Sequence, residues 1–155
     1  MSIGVASSTS PTGPFSDAKG SAIITDNTPN SSDLNIDPCV FVDDDGQVYL
    51  VWGCYWEIRM VKLQSNMIDT IGTPTKPSGV NNFREAPWLF KRNNTYYLLY
   101  AAGANPATIE YCTASNPMDP YTHRCQPLFP PRPRLPDLRD MVLLQINTIP
   151  LHSLQ

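Results

Sequence analysis

The sequence is short of charge, and the charge it has is nearly balanced: 16% of its 155 residues are Asp, Glu, Lys or Arg, and the formal net charge is −3. No basic stripe is present to follow a phosphate backbone, so nucleic acid is not an expected partner. Nowhere do about 18 apolar residues run together, and no membrane-spanning helix is expected. The first residues, Met1-Ser2-Ile3-Gly4-Val5, offer neither a basic n-region nor an apolar h-region, so no secretory leader is read there. Histidine is scarce, and neither His123 nor His152 falls in a ligand pattern. The four cysteines, Cys39, Cys54, Cys112 and Cys125, lack the paired C-x-x-C spacing of a zinc site. Their spacing leaves buried thiols and disulfides equally open.

Hydrophobic residues, at 41%, and proline, at 16 residues, are plentiful. The first argues for a packed core and the second against long helices. At this length one domain is expected, β-rich and soluble. Asn30 in "NSS" and Asn93 in "NNT" match the N-glycosylation acceptor pattern, a weak pointer to secretion.

An internal repeat organises the chain. "DPCVFVDDDGQVYLVWG" from Asp37 aligns without a gap on "EAPWLFKRNNTYYLLYA" from Glu85, an offset of 48 that pairs Asp37 with Glu85 and Asp45-Gly46 with Asn93-Asn94. "IGVASS" from Ile3, "IRMVKL" from Ile58 and "IEYCTA" from Ile109 recur at a similar interval. A period near 50 residues, made of short strands and turns, predicts propeller blades. In the first blade strands are expected over Cys39 to Asp43, Val48 to Cys54, Glu57 to Leu63 and within Asp69 to Pro77; in the next, over Trp88 to Lys91, Tyr96 to Ala101 and Thr108 to Thr113. The fold class is therefore all-β: a partial propeller of two blades plus the outer part of an earlier one. The run Asp43-Asp44-Asp45 is read as a hairpin turn rather than a calcium site.

Asp37 and Glu85 open the inner strands of successive blades, where side chains from different blades can converge on the propeller axis. Paired carboxylates are what cleavage of a glycosidic bond requires, one protonating the leaving oxygen while another activates water or attacks. The plainer alternative is that both acids cap turns ahead of a proline. Arg84, beside Glu85, would oppose an acid role if its guanidinium approached the carboxyl. Trp52 and Trp88 fall within strands and are expected in the core, whereas Tyr55 and Trp56, just past a strand end, are the better sugar-stacking candidates.

"IDPCVFVDDDGQVYLVWG" and "REAPWLFKRNNTYYLLYAAG", with the "SPTGPF" turn, resemble the second and third blades of glycoside hydrolase family 43, the arabinofuranosidase and β-xylosidase group with a five-bladed propeller. The resemblance covers about residues 2–125 and implies an inverting hydrolase of plant cell-wall arabinofuranosides or xylosides, with a carbohydrate as its partner. It implies that Glu85 is the general acid and that Asp37 orients and tunes it. The family's third acid, an aspartate base from the first blade, would precede Met1, so the expectation is a fragment with two of three catalytic acids and no hydrolysis on its own. No cofactor and no metal ligand are assigned; some family members hold a central cation, through a histidine of a later blade. The resemblance also implies an extracellular location for the complete enzyme. Residues 1–125 form the propeller segment, and 126–155 are an off-pattern tail. Two other readings stay open: a propeller that binds carbohydrate or a protein without catalysis, and a fructan-cleaving relative, against which "EAP" and the lack of "RDP" count.

Overall fold

The computed structural model of the protein describes residues 1–104 and 106–124. The expected tail at 126–155, and Cys125 and His152 with it, lie outside the described residues. A two-residue hairpin pair, β1 (Ala6–Ser7) and β2 (Ser16–Asp17), comes first. Two four-stranded antiparallel meanders follow. One runs in order through β3 (Cys39–Val42), β4 (Val48–Cys54), β5 (Glu57–Leu63) and β6 (Thr70–Thr75). The other runs through β7 (Phe83–Arg92), β8 (Thr95–Ala102), β9 (Thr108–Ala114) and β10 (Thr122–Arg124). Among the described residues there is no helix, in line with the proline content. Each meander is one propeller blade, as the period predicts.

The core lies on both sides of the first blade, and β4 shows why. All seven of its residues are buried, because alternate side chains serve different layers. Val48, Leu50 and Trp52 pack with Val61, Leu63, Ile3 and Ile24, so the earlier chain covers one face. Tyr49 and Val51 join Ile58, Met60, Leu89, Leu98 and Tyr100 between the two blades. Full burial of each such aliphatic side chain is worth roughly 1.5–3 kcal/mol, which is what holds the blades face to face. A polar clamp at the rim adds to it. Lys91 Nζ donates to Asp43 Oδ1 and Asp44 Oδ2, both at 2.9 Å, and Tyr96 OH donates to Asp43 Oδ2 at 2.6 Å. The aspartates are thus in the hairpin turn expected of them, and that turn grips the next blade.

The gapless repeat needs correction by one residue. In the first blade Asp43 and Gln47 close the hairpin around Asp44-Asp45-Gly46, with Gly46 at φ 81°. In the second, Arg92 pairs directly with Thr95 around Asn93-Asn94, whose φ values of 49° and 59° mark a two-residue type I′ turn. The first hairpin therefore carries one extra residue in its turn, and upstream of it the offset becomes 49: Phe41 stacks on Tyr49 as Phe90 stacks on Tyr97. Pro38 then corresponds to Pro87, and Asp37 to Ala86, and both of the latter have φ 54°. Glu85 corresponds to Ile36: Gly53 N donates to Ile36 O, and Glu85 is paired with Ala101, one repeat beyond Gly53. The two acids hold consecutive positions of a shared backbone kink rather than one equivalent position.

The same shift moves Trp88. It takes the place of Cys39, on the face turned away from the first blade, and is 44% exposed rather than in the core. There it meets Phe90, which stacks on Tyr97, which stacks on Tyr111. Trp52 is fully buried, as expected. Cys54 and Cys112 are buried and Cys39 is half-buried, and Cys39 and Cys54 are free thiols.

Candidate active site

The site is assembled at the end of β4. Gly53 N donates to Ile36 O at 3.0 Å, and Tyr55 N donates to Arg84 O at 2.6 Å. Residues on either side of Cys54 are therefore bonded to the residues that precede Asp37 and Glu85. Gly53 has φ 132°, and a Cβ there would stand 2.0 Å from Glu57 O, so only glycine permits this approach. On β7 the register slips between Phe83 and Glu85 and again between Glu85 and Trp88, a pair of bulges that re-aim the Glu85 side chain.

The outcome is a convergence. The Asp37 and Glu85 carboxylates and the Cys54 thiol have ligand atoms all within 4.8 Å of one another. Asp37 Oδ2 accepts the backbone N–H of Ala86 at 3.2 Å, which ties it to the residue after Glu85. Glu85 Oε2 accepts the Cys54 S–H at 3.7 Å. Burial raises the pKa of the Cys54 thiol above the ordinary thiol range, and the Glu85 and Asp37 carboxylates raise it further against the backbone N–H of Tyr55. At neutral pH the group is S–H, a donor. Arg84 points away from the acid: its guanidinium lies 5.8 Å from the Tyr55 ring centre and donates to the carbonyls of Gly103 and Ala104.

Tyr55 and Trp56 are the two central residues of the β4–β5 turn, with φ 46° and 69°. Aromatic side chains in left-handed backbone are uncommon and cost of order 1–3 kcal/mol each. The two residues are 52% and 53% exposed with ring centres 6.0 Å apart, and the bond from the Tyr55 N–H to Arg84 O puts their turn at the same end of the blade pair as the acids. Sequence reasoning found Asp37, Glu85, Tyr55 and Trp56, and the structure brings all four to one end of the blade pair. It missed Cys54. The alternation along "VYLVWGC" puts Cys54 on the face of Trp52, and no sequence signal tells that the kinked strand starts on either side close over it. This is the one group of three His, Cys, Asp or Glu side chains among the described residues close enough to share a cation, and it contains no histidine.

Comparison with known proteins fits this arrangement. The family model of glycosyl hydrolases family 43 matches residues 1–133. Two curated relatives are an arabinoxylan arabinofuranohydrolase of Bacillus subtilis, 34% identical over 147 residues that take in 79% of this chain and 28% of the relative, and a β-D-galactofuranosidase of Aspergillus niger, 33% identical over 127 residues, 77% of this chain and 36% of that one. Among solved structures, an α-L-arabinofuranosidase of Clostridium thermocellum superposes with a TM-score of 0.70 at 36% identity, over 78% of this chain and 42% of that one. The chain is thus part of a five-bladed β-propeller of the glycoside hydrolase class. It belongs to glycosyl hydrolases family 43. It spans less than half the length of each of these relatives.

Proposed function

We propose that this chain supplies the proton-donating part of a centre that hydrolyses O-glycosyl bonds, with Glu85 as general acid and Asp37 as its orienting partner. The observation that carries the reading is the approach of the two carboxylates to within 4.8 Å. An inverting acid and base stand about 6.5–9.5 Å apart to admit a water, and a retaining pair about 5–5.5 Å. Oxygens this close leave no room for a water held between an acid and a base, which suits a partner role for Asp37. Its bond to the Ala86 N–H suits a group that fixes the direction of the acid. In the reaction, the Glu85 O–H gives its proton to the glycosidic oxygen as the C–O bond breaks. Water activation falls to a third acid, which in the family comes from another blade. Tyr55 and Trp56 provide apolar faces on which a sugar ring can stack.

The substrate class we infer is arabinofuranosides or xylosides of plant cell walls, and the two relatives above, both named for furanosides, favour the first. Export from the cell is part of the same reading: Asn30 and Asn93 are both exposed, and glycosidase-sensitive mass on secreted protein would check it. The test of catalysis is the rate of a complete five-bladed propeller carrying this segment on aryl arabinofuranosides and xylosides. Glu85→Ala is expected to cost about 10²–10⁴-fold on poor leaving groups and much less on dinitrophenyl glycosides, which need little protonation. An active protein indifferent to Glu85 overturns the reading. A second reading, carbohydrate binding without hydrolysis, rests on the half-exposed rings of Tyr55 and Trp56, 6.0 Å apart, which can take a sugar face whether or not a bond is cut. It is supported if Glu85→Gln leaves sugar binding intact and no variant hydrolyses anything.

A further inference from the structure

We propose that Cys54 is a positioning residue for Glu85, its S–H held against Oε2 so that Oε1 is the oxygen that carries the transferable proton. The inference rests on the reading of Glu85 as general acid. Three observations support it. Cys54 Sγ lies 3.7 Å from Glu85 Oε2, and at 3% exposure the thiol itself is closed off from bulk water. The backbone on both sides of Cys54 is tied to the acid-bearing segments, through Gly53 to Ile36 and through Tyr55 to Arg84, so the Cys54 Cα is held in place relative to both. It also shares its 4.8 Å neighbourhood with Asp37, so the two groups that could compete for Glu85 are a donor and an acceptor with separate tasks. A protonated Glu85 has one carbonyl-type oxygen and one O–H oxygen. An S–H donor satisfies the first only, and this selects the second for the substrate.

Two measurements on the protein decide it. The S–H stretching band of Cys54, assigned by Raman difference against Cys54→Ala, is expected at the lowered frequency of a thiol donating to a carboxyl oxygen and should move to that of an unbonded thiol in Glu85→Ala. A band that ignores Glu85 overturns the proposal whether or not the protein turns over substrate. In rate measurements Cys54→Ala is expected to lower kcat/KM about 2- to 10-fold on poor leaving groups, with little loss on dinitrophenyl glycosides and none on top of Glu85→Ala. Cys54→Ser, which keeps a donor, should recover part of the rate. A loss that is equal for all leaving groups, or additive with Glu85→Ala, marks a merely structural cysteine and also overturns it. If Glu85→Ala itself shows no dependence on the leaving group, the acid assignment has failed, and the positioning role falls with it even where the Raman band has moved.

Discussion

Replacing Asn35 by alanine tests whether the first blade's interior sets the position of Asp37. Asn35 is 1% exposed and Trp52 is fully buried, and the Trp52 indole N–H donates to Asn35 Oδ1 at 2.9 Å. The Asn35 amide donates in turn to Asp26 Oδ1 at 3.0 Å, and no buried side-chain polar atom among the described residues lacks a partner. Asn35→Ala leaves the indole N–H buried without an acceptor, a penalty of about 1–3 kcal/mol, and removes packing besides. The expected cost is about 2–3 kcal/mol, or roughly 5–10 °C in Tm for a chain of this size. Urea and thermal unfolding of Asn35→Ala, Trp52→Phe and the double variant measure it. The double variant should lose clearly less than the sum of the singles, with a coupling of about 1 kcal/mol or more, since the second change removes a group already orphaned by the first. An Asn35→Ala shift below about 1 °C, or strict additivity, would refute the reasoning.

Two further predictions concern the frame around the acids. Burial opposes ionisation of Asp43, but the hydrogen bonds from Tyr96 and Lys91 outweigh it and hold its carboxyl below the usual range. A lowered folded-state pKa means that this stability is present above the ordinary aspartate value of about 3.9 and is lost as pH falls through the folded value. Tyr96→Phe should therefore cost about 1–2 kcal/mol at pH 6–7, and the gap between its Tm and the wild type's should close below about pH 4; a gap that persists unchanged at pH 2.5 counts against the clamp. Gly53→Ala should cost more than about 3 kcal/mol, since the new Cβ meets Glu57 O at 2.0 Å in backbone at φ 132°; a stable Gly53→Ala protein with the same Trp fluorescence would mean that the end of β4 is not closed as described.

Strand placement was legible because the signals were local. The alternation in "QVYLVWG", the turn residues Asp45-Gly46 and Asn93-Asn94, and the recurring interval locate β3 to β5, β8 and β9 to within a residue or so, whereas β7 begins at Phe83, five residues ahead of the expected Trp88. Register across the turns was not. A gapless alignment treats Asp-Asp-Gly and Asn-Asn as equal in length, yet Gly46 closes a loop one residue longer than the one Asn93 and Asn94 form in left-handed backbone. That single residue changes which side chains share a face. It accounts for Trp88 on the exposed face and for Asp37 matching Ala86. The acids themselves were found from the repeat, which set a carboxylate at the opening of each inner strand, and from the family resemblance. Their partner Cys54 was not, because its contact depends on two segments, Ile36-Asp37 and Arg84-Glu85, that lie 48 residues apart in sequence and meet over a third strand.

The strand that carries neither acid is the one that organises them. β3 begins beyond the kink at Asp37, and β7 is interrupted by bulges on both sides of Glu85, so neither segment is held there by a regular ladder. The end of β4 substitutes for that ladder. It donates one backbone bond to each segment, brings a thiol within 4.8 Å of both carboxylates, and then turns through Tyr55 and Trp56 at the same end of the blade pair. Its other residues are buried on both faces, against the earlier chain on one side and the next blade on the other. A segment so enclosed has no room to shift, and irregular backbone bonded to it inherits that rigidity. The polar kinks can thus depart from sheet geometry, as convergence of their carboxylates requires, because the order they lack is supplied by the most deeply packed strand among the described residues.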